Sequence, residues 1–256
     1  MFVGRDKELE ELEKRYSNNK FEFIVMYGRR RVGKTRLLEK FCENKNHIFF
    51  SAKEESKKLS LDTFSKAYNE FMQNNELRPF KDFEALFEQI YTKFKDERLI
   101  VVIDEFPYVA NADKSLMSTL QHLIDHKFKD SKIFFIFCGS SISFMEYKVL
   151  AYKSPLYGRR TGQMKILPIS FKDSLAYMRN FSNEDKINAY SIMGGIPHYL
   201  NTLNDKASIS ENITENFFNL SSFLSQEPEN LIKQELREPA IYNSVIEAIA
   251  IRQYKT

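Results

Sequence analysis

A lysine and a threonine set directly behind a glycine-rich turn can hold a chain of phosphates. The sequence carries that arrangement in Gly28-Arg29-Arg30-Arg31-Val32-Gly33-Lys34-Thr35, which fits G-x-x-x-x-G-K-[ST]. Glycines let the backbone turn sharply, so that successive N–H groups point inward at phosphate oxygens. Lys34 has the reach to meet the β- and γ-phosphates, and the Thr35 hydroxyl suits Mg²⁺. Arg36 extends the basic run, so that five of the nine residues from Gly28 to Arg36 are basic. A helix beginning near Lys34 adds the positive end of its dipole.

Two acids supply the rest of the chemistry. Asp104-Glu105 closes the apolar run Leu99-Ile100-Val101-Val102-Ile103. Carboxylates at the C-terminal end of a buried strand lie where ligands bind in open α/β sheets. Asp104 is expected to hold the Mg²⁺ shell, usually through water, leaving Glu105 to orient and polarise an attacking water. Ser140 and Ser141 end another buried run, Ile136-Phe137-Cys138-Gly139. Either one can hydrogen-bond the water or the γ-phosphate, and either can cap a helix. Arg159 and Arg160 lie in Pro155-Leu156-Tyr157-Gly158-Arg159-Arg160-Thr161-Gly162. A planar, always charged fork suits the stabilisation of a transferring phosphoryl group, although the residues by themselves favour an ordinary solvated pair. His122 and His126 are four apart, but the stretch lacks the glutamate of a zincin and a third ligand.

Strands are expected at 23–27, 47–52, 99–104, 133–138 and 164–169, with amphipathic helices between them. The clearest helix carries Phe83, Leu86, Phe87, Ile90 and Phe94 at helical spacing. Such alternation implies an α/β fold, with parallel strands, right-handed crossovers and helices on both faces. Beyond Pro168 the strand signals stop, and helices are expected at 171–178, 186–193, 198–203, 213–218 and 231–250.

The 256 residues, 43% of them hydrophobic, suffice for one sizeable core and a small satellite. With 38 basic and 35 acidic residues the net charge is +3, which gives no global signal for binding polyanions and makes DNA binding an unfavoured expectation. Cys42 and Cys138 offer neither a disulfide framework nor a metal set, and suit reduced thiols in a cytoplasmic protein. Charges begin at Arg5 and no apolar run nears the roughly 18 residues of a membrane span. Asn44-Lys45-Asn46-His47 lacks the aspartate of a guanine-reading [NT]-K-x-D, so ATP is expected over GTP.

The ordered set FVGR, GRRRVGKT, VVIDEFPY, FCGSS, PLYGRRTG and GGIPHYL resembles the archaeal-type ATPase family, also present in bacteria, of the AAA+-related STAND group of signal-transduction P-loop ATPases. The likeness runs over nearly the whole chain. It implies a P-loop core of five parallel strands over 1–168, a helical lid over 169–235, and the start of a winged-helix domain over 236–256, where the chain stops. It also implies Gly4 and Arg5 near adenine and ribose, Pro197 as a lid proline against the nucleotide, and Ser140 as a sensor. Arg159 becomes the finger arginine, with Arg160 as the second choice. ATP and Mg²⁺ are the implied cofactors. The expected partners are ATP and ADP, with a second copy of the chain, a protein partner or a missing C-terminal domain left open. Two further readings stay beside the hydrolase: a slow nucleotide-gated switch, and an ATPase module of a DNA-binding or defence protein.

Overall fold

Unbroken apolar runs need cover on both faces, and three such runs become the middle of one sheet. In the computed structural model, which describes residues 2–73, 79–235 and 238–253, β1 (Glu22–Tyr27), β3 (Ile100–Asp104) and β4 (Phe134–Gly139) are buried at every position. β2 (His47–Ser51) and β5 (Gly162–Lys165) lie at the edges. The order is β2-β3-β4-β1-β5, and every pairing is parallel. This is the α/β, five-stranded parallel architecture expected from the alternation.

The helices of the first compact unit, Met1–Ile169, are α1 (Asp6–Ser17), α2 (Lys34–Cys42), α3 (Lys57–Phe71), α4 (Phe83–Phe94), α5 (Phe106–Ala112), α6 (Leu116–His126) and the short α7 (Ile142–Phe144). α4 starts where Asp82 accepts the Ala85 N–H at 2.7 Å, and it buries Phe83, Leu86, Phe87 and Ile90. Phenylalanines knit the sheet together and to its helices: Phe23 of β1 meets Phe137 of β4 at 4.8 Å between ring centres, Phe106 of α5 meets Phe137 at 4.7 Å, and Phe64 of α3 meets Phe50 of β2 at 4.7 Å. α2 carries the chain from β1 out to β2, beyond β4 and β3. The sheet therefore grows in opposite directions from β1, and in open α/β sheets ligands bind at the C-terminal edge beside such a point.

The second unit, Ser170–Thr256, holds α8 (Phe171–Ser174), α9 (Asn183–Met193), α10 (Pro197–Leu200), α11 (Ile209–Ile213), α12 (Phe223–Glu235) and α13 (Pro239–Gln253). Among the described residues it contains no strand. No helix there or elsewhere in the described residues is long and apolar enough to cross a membrane.

Of the boundaries that differ from expectation, two have a clear physical reason. The fifth strand runs over Gly162–Lys165 rather than 164–169, because the alignment with β1 is Ile24 to Gly162 through Tyr27 to Lys165. Only the Ile166 N–H to Tyr27 bond, 2.7 Å, continues it, and Leu167 is exposed. The single helix expected over 231–250 is instead two, α12 and α13; residues 236 and 237, inside it, lie outside the described residues. Pro239 opens α13 and pushes the residue before it out of helical geometry, whereas the apolar spacing alone gave no reason to stop.

Both thiols are sealed. Burial pushes the Cys42 thiol up to about 12 against the opposing charge of Lys45, so at pH 8 about 10⁻⁴ of it is thiolate. The native protein should therefore resist iodoacetamide at Cys42 and Cys138, and unfolding in guanidinium should expose both. Mass spectrometry showing either one alkylated in the native state would contradict the packing.

Candidate phosphate site

Gly28 leaves β1 in a space that admits no side chain. A Cβ there would lie 2.2 Å from the carbonyl oxygen of Ile166, on the chain leaving β5. Further along the loop, Arg31 and Gly33 take left-handed φ values of 66° and 92°, and amides turned this way make a concavity suited to an anion. α2 then begins at Lys34 with no side-chain cap from Gly33, so its first-turn N–H groups and dipole face the loop. Lys34 is only 5% exposed, and its ammonium donates to the carbonyl oxygens of Gly28 and Arg29 at 2.9 Å each.

Thr35 Oγ1 donates to Asp104 Oδ2 at 2.7 Å, and Asp104 Oδ1 accepts the Glu105 N–H at 3.1 Å. A hydroxyl beside a buried carboxylate is a hard oxygen pair. It fits Mg²⁺, which holds few protein ligands and keeps its waters. Cys138, a neighbour that sequence reasoning placed only in the core, lies against Asp104. Burial pushes its thiol well above the ordinary range, the Asp104 charge adds to this, and Lys34 opposes it.

Glu105 sits at φ 53° and ψ 45°, a left-handed backbone that costs a non-glycine residue on the order of 1–3 kcal/mol. Its Oε2 accepts two bonds from Ser140, from the N–H at 3.0 Å and from the hydroxyl at 2.9 Å. Of the two serines it is Ser141 that caps a helix, its Oγ accepting the Phe144 N–H at the start of α7 at 3.4 Å. β4 brings this about, because it lies between β1 and β3 with Gly139 opposite Tyr27 and Phe137 opposite Ile103.

The remaining candidates are placed as follows. Arg30 Nη2 donates to the hydroxyl of Tyr108 on α5 at 3.0 Å; this contact was missed, and its only signal was a tyrosine three residues after Glu105. Arg29 and Arg36 are exposed, and Arg36 pairs with Glu39 on its own helix at 3.1 Å. Arg5, after Gly4, is buried and donates to Val32 in the loop at 2.8 Å. Arg159 is engaged away from the loop: its Nε and Nη2 grip both carboxylate oxygens of Asp125 on α6 at 2.8 and 2.7 Å. That fork holds the Asp125 carboxyl below the usual carboxylate range. Arg160 lies over the Tyr157 ring, 5.5 Å from its centre. Pro197 opens α10 in the second unit.

Known proteins resemble this chain in sequence and in fold. An uncharacterized protein of Methanocaldococcus jannaschii is 38% identical over 250 residues, covering 98% of this chain and 54% of its own, so the chain spans about half the length of that relative. Among solved structures, the Walker-type ATPase of Pyrococcus abyssi has the same fold, with a TM-score of 0.58 at 17% identity, covering 98% of this chain and 76% of that one. The ORC2 protein of Aeropyrum pernix, solved in ADPNP–ADP complexes, has a TM-score of 0.52 at 16% identity, covering 88% and 70%. Residues 2–203, which take in the whole sheet and its loops, match the ATPase domain predominantly from Archaea, and the chain belongs to that family.

Proposed function

We propose that the chain binds MgATP at the C-terminal edge of the sheet and hydrolyses it to ADP and phosphate. The observation that carries this reading is the 2.7 Å contact of Thr35 Oγ1 with Asp104 Oδ2. It joins two oxygen ligands 69 residues apart, one from the phosphate loop after β1 and one from the acidic end of β3. Lys34 and the loop amides neutralise phosphate charge, and Thr35 with Asp104 hold the metal. Mg²⁺, when bound, draws negative charge from the phosphate oxygens. Glu105 accepts the proton of the attacking water and aims it, with Ser140 fixing the carboxylate. Adenine is the favoured base, since no guanine-reading motif occurs and the Aeropyrum protein of like fold was solved with ADPNP and ADP. Nucleotide state is relayed to the helical second unit as a lid movement or to assembly, in keeping with the signal-transduction resemblance.

A second reading, a slow nucleotide-gated switch, is favoured by one observation. Arg159 is locked to Asp125 within its own subunit, so a finger acting on a second copy must first leave that carboxylate. Phosphate release measured against protein concentration, with Glu105→Gln as the blank, separates the two. Specific activity that climbs with concentration and is lost in Arg159→Ala supports assembly of the site in trans. Activity flat at the blank's level leaves the switch as the better reading, or turnover that needs further domains.

A further inference from the structure

Arg5 is a charged side chain sealed from water. The residue is 4% exposed, sits after Gly4, and its carbonyl accepts the Leu9 N–H at the start of α1. Both N–H groups of Nη2 are committed, one to the carbonyl of Val32 at 2.8 Å and one to that of Leu167 at 2.7 Å. Nη1 is steadied by Glu8 Oε1 at 2.9 Å. Val32 stands between the two left-handed residues of the phosphate loop, Arg31 and Gly33. Its carbonyl lies ahead of the first α2 bond, from Leu37 N–H to Gly33, so it needs a donor from outside the helix. Leu167 follows Ile166, the residue whose carbonyl closes over Gly28. One guanidinium therefore clips the middle of the loop to the strand exit that also confines the loop's beginning.

We infer that Arg5 is a positioning residue for the phosphate loop, setting affinity for the phosphate chain through the loop's backbone and not by reading the base. The inference rests on the proposed binding of ATP phosphates by Gly28–Thr35. It assigns Arg5 a different task from the adenine and ribose contact implied by resemblance, because its Nη2 is turned to two main-chain oxygens and its Nη1 to Glu8. A lysine keeps the charge but loses the rigid fork that bridges two fixed carbonyls. The loop then loosens around any phosphate chain, whether or not a nucleoside is attached.

The test compares MgATP with magnesium tripolyphosphate, a ligand without base or sugar, by calorimetry on the native chain, Arg5→Lys and Arg5→Gln. Thermal melting checks that each variant is folded. Both affinities should fall by the same factor, about 10- to 100-fold, the range for charge-assisted hydrogen bonds in a buried site. A loss confined to MgATP would mean that Arg5 reads the nucleoside, and no loss for either ligand would make it a strut without influence on binding. Each of those results overturns the inference. If both Arg5 variants fail to fold, Glu8→Gln, which removes only the steadying carboxylate, takes their place. Equal losses of about 2- to 5-fold are then expected, and unequal losses or none overturn the inference. A native chain that binds neither ligand takes away the proposed function itself, a result distinct from any of these.

Discussion

Lys34→Ala is expected to abolish tight nucleotide binding. The ammonium is almost wholly buried and bonded to two loop carbonyls, so its removal acts twice. The carbonyls of Gly28 and Arg29 lose their donor, and the phosphate chain loses a positive charge in a site where water screens poorly. Truncating one member of such a desolvated charge pair typically costs enough to weaken binding by on the order of 10²-fold or more. Calorimetry with MgATP and with ADP reads the effect directly. Retained ATP affinity in this variant would count decisively against the nucleotide assignment.

Glu105→Gln should separate binding from turnover. The amide oxygen of glutamine can still accept the two Ser140 bonds, and the left-handed backbone at this position is unchanged by the substitution. What disappears is the capacity to take a proton from water. The loss expected on removing a positioned general base is about 10²–10⁴-fold in turnover, with ATP affinity kept. Single-turnover mixing followed by extraction of the bound nucleotide should recover ATP from the variant and ADP from the native chain. Unchanged turnover would move the base elsewhere; lost ATP affinity would make Glu105 part of the binding shell.

The sequence was most informative where a residue's task is local. The phosphate loop, the buried strand ending at Asp104 just before Glu105 and the strand ending just before Ser140 lie where apolar runs and turn residues placed them. α2 begins at the expected Lys34 because a single glycine at left-handed φ both ends the loop and frees the first helical amides. Long-range side-chain pairing was not legible. Nothing in the spacing links Arg159 to Asp125 or Arg30 to Tyr108, since each pair forms only after separate helices and loops have packed. Arg5 shows the same limit: a motif identified a residue of interest, and only the fold showed that its fork meets Val32 and Leu167. The fifth strand shifted because its register is dictated by β1 and not by its own apolar content.

The insertion of β4 between β1 and β3 works as a gauge block. Parallel neighbours stand about 4.8 Å apart, so two spacings hold the backbones of β1 and β3 roughly 10 Å from each other, whatever the loops around them do. Loop sequences can drift, lengthen or change charge without altering that span, because the hydrogen-bond ladder and not any side chain maintains it. A substitution at the middle of β4, such as Phe137→Ala, therefore has a reach that its distance from the loop conceals. Slackening the central strand detunes both jaws at once, whereas a change in either jaw leaves the other aligned.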